Sequence, residues 1–199
     1  MVEYEGARQL AVNQPDADLA YGLVLIRQDK SPVALEVFDR VVKEHPNSLV
    51  AYQGAAWLRA RRGDFKECIP CLEQLIRRLP ANTDTLASTD LAYFDHATRF
   101  AGRLAAYMLT IAPEDRRVPR SDLAGLEKAI KERDSKAQAT FADGARSIRA
   151  QAEQLENHIR DASLPNDKSL LEQKRTNFNH YLPFDYDDVR QYLLANLEK

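Results

Sequence analysis

The sequence predicts an all-α fold of about three helix hairpins in a curved superhelix, followed by a long helix and a C-terminal helical cap. Two observations predict it: a repeat of about 34 residues in the first half, and an apolar stripe at helical spacing in the second. The predicted domains are 1–113 for the hairpins, 114–120 for a connector and 121–199 for the remainder. Four prolines 31, 34 and 33 residues apart mark the repeat: Pro15, Pro46, Pro80 and Pro113.

The residues before each proline have the same apolar pattern. Apolar residues stand eight and five positions upstream, and a small residue stands twelve positions upstream of three prolines, at Ala34, Cys68 and Ala101. This spacing places them on one face of a helix that the proline ends. Residues 2–14 have the pattern without a preceding helix, so we interpret them as an orphan second helix and expect the chain to begin inside a longer array.

A further helix precedes each of these, so the repeating unit is a helix hairpin. Within residues 49–82 a turn at Gly63 separates the two helices, and Asp64 with Glu67 three residues later predicts a capping box. Ser31 is predicted to be the N-cap of an earlier helix, because a proline follows it.

This unit resembles the tetratricopeptide repeat, and residues 49–82 fit that family's pattern best. Residues 16–48 lack three residues around the turn, and residues 81–113 lack the turn glycine. The resemblance covers about residues 2–113 and implies stacked hairpins whose first helices line a concave groove. The matching positions run from a large residue early in the first helix to the final proline: Tyr52, Ala55, Ala56, Gly63, Phe65, Cys68, Leu72, Leu75 and Pro80.

Members of this family bind protein segments in the groove, so the resemblance implies a protein-binding site on the first helices. A tryptophan beside an arginine is typical of a binding hot spot, and an apolar floor with arginines at its rim favours an extended or helical peptide with acidic residues. The alternative is that Trp57 belongs to the core between hairpins. The groove positions are Val50, Gln53, Trp57, Ala60 and Arg61, with Leu23 and Arg27 from the preceding unit.

Beyond Pro113 the pattern changes to one long apolar stripe. From Leu123 to Ala162 apolar residues recur every three or four positions with one polar interruption at Asp134. This predicts a helix of about 40 residues, unless it breaks at Gly144. We expect the remainder of the chain to fold back along it as an antiparallel hairpin or small bundle. The alternative partner is a second copy of the chain, and a homo-oligomer is compatible with both.

Four aromatic residues within nine positions mark a second candidate site near the C-terminus. A solvent-exposed linker carries fewer aromatic residues than this. Either they attach the C-terminal helices to the repeats, or they form a docking patch for a partner. The stretch contains Phe178 and the three candidate patch residues, Tyr181, Phe184 and Tyr186. The acidic residues that follow are explained by helix capping rather than by a metal site.

Composition excludes several classes of protein. The chain has 28 Lys and Arg against 30 Asp and Glu, for a net charge of −2, so we expect no nucleic-acid partner. Two cysteines exclude a disulfide-built scaffold and favour a reducing, cytoplasmic compartment. Uninterrupted apolar stretches such as residues 23–26 are far too short to span a membrane. No basic start followed by an apolar core is visible in residues 1–13, so we expect no secretory signal.

No pattern points to catalysis, a metal or a cofactor, so the chain is predicted not to be an enzyme. Cys68 and Cys71 resemble the redox pair of thioredoxin-like proteins, but no strand precedes them, and Cys68 occupies the small-residue position of the repeat. The preferred hypothesis is a protein-interaction scaffold or adaptor with a peptide or protein partner. The alternatives are a redox accessory protein that uses these thiols and a structural self-assembly module that pairs through the long helix.

Overall fold

The computed structural model describes residues 15–81, 86–114, 118–161, 184 and 186–197. Within these ranges every regular element is helical, which confirms the predicted all-α fold. A 3₁₀ turn at Arg120–Leu123 precedes the sixth helix. The orphan helix predicted for residues 2–14 lies outside the described residues. The α-helices are α1 (Pro15–Arg27), α2 (Ser31–Glu44), α3 (Leu49–Arg62), α4 (Phe65–Arg78), α5 (Ser88–Glu114), α6 (Ala124–Lys131), α7 (Ser135–Asp161) and α8 (Tyr186–Leu197).

The first four helices form two of the predicted hairpins. Helix α1 packs on α2, α3 packs on α4, and α2 packs on α3, so the hairpins are stacked side by side. Gly63 ends α3 in the left-handed region at φ +81°. Asp29 takes the same region at φ +57° in the turn of the first hairpin. Asp tolerates this conformation better than most residues, so the first turn closes without a glycine.

The predicted N-cap at Ser31 is wrong, and Asp64 directly precedes α4 as predicted but does not form the predicted capping box. The Asp64 side chain makes no capping hydrogen bond, and instead its carboxylate lies 3.2 Å from Arg62 Nε. Ser31 lies inside the first turn of α2, and Lys30 precedes it as a cap residue with no side-chain hydrogen bond. Helix α3 does have a side-chain cap, because the Ser48 hydroxyl accepts a hydrogen bond from the Ala51 backbone N–H at 3.3 Å.

Phe38 on α2 joins the two hairpins. Its ring is fully buried, and a Cβ atom placed on Gly22 of α1 or Gly54 of α3 would lie 2.9 or 2.8 Å from it. The two glycines therefore leave the space that the ring fills. The first helices of both hairpins can then approach the same aromatic side chain.

The third predicted hairpin is a single helix. Helix α5 runs for 27 residues, because no glycine or proline stands between its start and Gly102 to end it. It packs on α4 and so extends the stack of helices.

The long helix predicted from Leu123 is divided in two at the polar interruption. Helix α6 ends at Lys131 and α7 begins at Ser135. Asp134 caps α7, since its Oδ1 accepts hydrogen bonds from the backbone N–H groups of Lys136 and Ala137, both at 3.0 Å. The bond from Ala137 is the main reason that the pKa of the Asp134 carboxyl lies below its ordinary value.

Gly144, the expected break, is instead the point where two helices meet. Helix α7 packs along α5, and a Cβ atom on Gly144 would lie 3.1 Å from the backbone of Gly102 in α5. Within the described residues, the helix that packs along the long stripe is therefore α5 of the same chain. Residues 162–183, which we expected to fold back along the stripe, lie outside the described residues. Helix α8 packs on α5 and α1.

Arg133, between α6 and α7, holds the end of the second hairpin. Its two terminal guanidinium nitrogens each donate a hydrogen bond at 2.7 Å to a carbonyl just past α4, one to Leu79 and one to Pro80. These carbonyls have no partner in the helix, so the arginine replaces the missing donors.

We expect Arg133→Ala to lower the free energy of unfolding by about 1–3 kcal/mol, because it leaves two partly buried carbonyl oxygens without donors. The stability of Arg133→Lys should lie between that of the wild type and that of Arg133→Ala, since an ammonium group cannot donate to both carbonyls in the same geometry. Urea unfolding followed by circular dichroism measures this. The matched control is Arg146→Ala on the exposed side of α7, which should change stability by less than about 0.5 kcal/mol. Equal losses in both variants would contradict the role of Arg133.

Candidate functional site

The predicted groove residues lie on α1 and α3, but most of them are not open to solvent. Leu23, Val50, Gln53, Trp57 and Ala60 are buried. Arg27 and Arg61 remain partly exposed, with 53% and 34% of their side-chain surface accessible. We call the surface made by these seven residues, together with Tyr93, His96, Phe100 and Arg103 of α5, the inner face. Helix α8 and Phe184 lie on it.

Phe184 is the centre of an aromatic cluster that joins three parts of the chain. Its ring centroid lies 5.1 Å from that of Trp57 on α3, 6.2 Å from that of Phe100 on α5 and 5.2 Å from that of Tyr186 on α8. Tilted and edge-on pairs of this kind contribute about 0.5–1.5 kcal/mol each beyond the buried area. The structure therefore brings the predicted docking patch onto the predicted groove. Tyr181, the third patch residue, lies outside the described residues.

Two arginines frame this cluster. The Arg27 guanidinium lies 5.3 Å from the Tyr186 ring centroid, and its Nη2 donates to Asp187 Oδ1 at 3.1 Å. The Arg61 guanidinium lies 5.3 Å from the Trp57 ring centroid. Partial burial raises the pKa of the Tyr186 phenol, and both arginines partly oppose this rise. The cations thus face aromatic rings and a carboxylate of the segment that covers the inner face.

A second contact between α5 and α8 covers Gln53. Tyr93 stacks on Tyr192 with 3.9 Å between ring centroids, and its hydroxyl donates to Gln53 Oε1 at 3.4 Å. Burial raises the pKa of Tyr93 well above its ordinary value. The Gln53 amide nitrogen has no hydrogen-bond partner among the described residues. A buried donor in this state costs free energy that a suitable acceptor would recover.

Two clefts remain beside α8. A cleft of about 180 Å³ between α1 and α8 is mostly apolar and includes Leu23, Val24 and Leu193. A cleft of about 530 Å³ on the α5 side is lined by three arginines, His96 and the start of α8. Arg27 and Tyr186 border both clefts. Helix α8 therefore occupies the inner face without filling it.

Sequence reasoning missed the contribution of α5. His96, Phe100 and Arg103 are spaced by four and three positions, which places them on one side of a helix. The signal was the lack of a turn residue in this stretch, which indicates one continuous helix rather than a hairpin.

The two thiols lack the environment of a redox pair. Cys68 is buried and donates to the Ala56 carbonyl at 3.2 Å, and burial raises its pKa far above the ordinary value. Burial also raises the pKa of the Cys71 thiol, although Arg59 Nη1 donates to its sulfur at 3.2 Å and lowers it in part. Reactive cysteines need a lowered pKa. Within the described residues, no group of three or more His, Cys, Asp and Glu side chains could hold a metal ion.

We expect iodoacetamide at pH 7 to label both thiols of the native protein more slowly than those of the urea-unfolded chain. A raised pKa leaves a smaller thiolate fraction at pH 7, so labelling of Cys71 should accelerate only above the pH at which a free thiol ionises. Mass spectrometry of samples taken between pH 6.5 and 9.5 measures both rates. Native labelling at pH 7 that outpaced the unfolded control would support the redox hypothesis instead.

No described helix combines the length and the apolar character that crossing a membrane requires. The family model of the tetratricopeptide repeat matches residues 16–48, which contain α1 after its first residue, all of α2 and the turn before α3. No curated protein and no solved structure matches the chain. The match falls on the unit with the shorter turn, whereas the sequence pattern ranked residues 49–82 first. The chain therefore contains a tetratricopeptide repeat, formed by its first helix hairpin.

Proposed function

We propose that this protein is a non-enzymatic scaffold or adaptor whose inner face binds a peptide or helix of a partner protein. The observation that supports this most is the arrangement of Arg27, Trp57 and Arg61 around the segment that begins at Phe184. Tetratricopeptide repeats typically serve as protein-interaction modules, and a face that accepts one amphipathic helix can accept another with the same spacing.

The charges of the inner face favour an acidic partner. Arg27 and Arg61 each present a guanidinium beside an aromatic ring, and Arg27 already binds a carboxylate within the chain. A partner with carboxylates near its aromatic residues would use the same two cations. We place this interaction in the cytoplasm, because free cysteines suit a reducing compartment.

The two alternative functions have less support. The raised pKa values of both thiols oppose a redox function. The close contact of α7 with α5 uses the apolar stripe within one chain, which leaves less of it for pairing between copies. Self-association stays a prediction that sedimentation at several concentrations would test.

We expect the double variant Arg27→Glu with Arg61→Glu to lose a partner that the wild-type chain captures from a source-cell lysate. The two charge reversals repel an acidic segment at the positions that should bind it. Quantitative mass spectrometry of the captured proteins measures the loss, after circular dichroism has shown equal helix content.

The matched control is Arg62→Glu with Arg146→Glu. It makes the same change in net charge at two exposed arginines that also form ion pairs, with Asp64 and Asp143, away from the inner face. It should keep the partner. If both double variants captured the same proteins as the wild type, the inner face would not be the binding surface.

A further inference from the structure

We infer that α8 with Phe184 is an internal competitor for the inner face, and that a partner binds by displacing it. The segment also indicates the partner's chemistry: a helix that begins with an aromatic residue followed by an acidic one, with a second aromatic residue two positions before the helix begins. This inference rests on the proposed function and adds to it the class of partner and the way in which binding is regulated.

Helix α8 contacts the inner face as a bound helical peptide would. Val189 and Leu193 are buried, whereas Arg190 and Leu194 are exposed, so one stripe of the helix faces the protein at a spacing of four. Phe184 precedes this stripe and packs against Trp57. An amphipathic helix in a groove, held by a few apolar side chains on one face, is a common mode of peptide recognition.

The fit of α8 is incomplete in three respects. Clefts of about 180 and 530 Å³ remain on its two sides. The buried Gln53 amide nitrogen next to Tyr93 has no partner among the described residues. The ion pair of Arg27 with Asp187 is exposed, with 73% of the Asp187 side chain accessible, and so contributes little. Native cores are close-packed and leave few such defects, which suggests that another helix can replace α8.

The wider cleft favours a partner more acidic than α8. Arg27, Arg99 and Arg103 line it, while α8 contributes Asp187 and Asp188. Arg103 donates to Gln151 at 3.3 Å, and its Nε has no partner in the part of the chain that the structure describes. A partner carboxylate in this cleft could accept from it.

Attachment to the same chain gives α8 an advantage over any partner. A tethered segment acts at an effective concentration of the order of millimolar. The apparent affinity of a partner then falls by the fraction of molecules in which the inner face is free. Weakening the contacts of α8 should therefore strengthen the binding of an added peptide.

The test uses a fluorescein-labelled synthetic peptide with the sequence of residues 183–197 and the full-length protein. We expect the protein variant Phe184→Ala with Tyr186→Ala to bind this peptide about tenfold or more tightly than the wild-type protein. Fluorescence anisotropy measures the affinity. Trp57 is the single tryptophan of the chain, so its emission should change with the double substitution and return towards the wild-type spectrum when the peptide binds.

Two controls separate competition from general loosening. Val33→Ala with Leu91→Ala removes two exposed apolar side chains elsewhere and should bind the peptide like the wild type. A second peptide has alanine in place of Tyr186 and Asp187, so it lacks the groups that face Arg27. It should bind the Phe184→Ala, Tyr186→Ala protein at least about tenfold more weakly than the native peptide does.

Each outcome decides the inference. If the Phe184→Ala, Tyr186→Ala variant is not folded, Asp187→Lys is tested instead. Asp187 is exposed, and a lysine there would repel Arg27 and weaken the contact of α8, so the added peptide should still bind about threefold more tightly. If the wild-type protein and the variant with weakened α8 contacts bound the labelled peptide with equal affinity, the inference would be wrong. If a partner was nevertheless lost from the Arg27 and Arg61 variant, the proposed function would stand. If neither the peptide nor any partner depended on these arginines, both would be wrong.

Discussion

The contact between Trp57 and Phe184 shields the apolar part of the inner face from water. A tryptophan on the first helix of the second hairpin presents a large apolar surface, and burial of a large apolar side chain contributes about 1.5–3 kcal/mol or more. Two side chains far away in the sequence, Phe184 and Phe100, cover that surface. Because an uncovered inner face would expose the indole, burial of Trp57 favours the arrangement in which Phe184 and Phe100 cover it.

The packing of the two hairpins positions the arginines that contact the C-terminal segment. Phe38 lies against Gly22 and Gly54, so α1 and α3 approach the same buried ring. Arg27 near the end of α1 and Arg61 near the end of α3 then act on one group, since both oppose the rise that burial causes in the pKa of Tyr186. The contact of Phe38 with both helices thereby helps to position the two arginines that face the C-terminal segment.

Local features of the fold could be predicted from the sequence, and long-range pairings could not. The proline spacing and the turn at Gly63 predict the hairpins, because adjacent helices joined by short turns depend mainly on nearby residues. The break after α6 was not predicted, because Asp134 was interpreted as a single polar interruption within one continuous helix. Gly144 suggested a break and proved to be a site of close helix approach, because a glycine in a helix allows either outcome.

The candidate site shows the same limit more clearly. Trp57 and Arg61 were predicted from the repeat pattern, and Phe184 and Tyr186 from their aromatic composition, as two separate sites. An apolar stripe indicates that a face needs burial but does not indicate which other face buries it. For that reason the pairing of these two sets, and the role of α5 as the third wall, required the structure.

The helices of this fold differ in how completely they pack. We call the closely packed helices α5 and α7, with the hairpins, the frame, and we call α8 with Phe184 the cover. Helices α5 and α7 touch backbone to backbone at Gly102 and Gly144, with no room for a side chain between them, so parting them would lose close contact along long helices. Helix α8 lies on the frame with a cleft on either side and an exposed ion pair at its start. Local opening begins where few apolar contacts are lost. The proposed exchange of α8 therefore requires only the loosely packed helix to leave, while the closely packed helices α5 and α7 stay together.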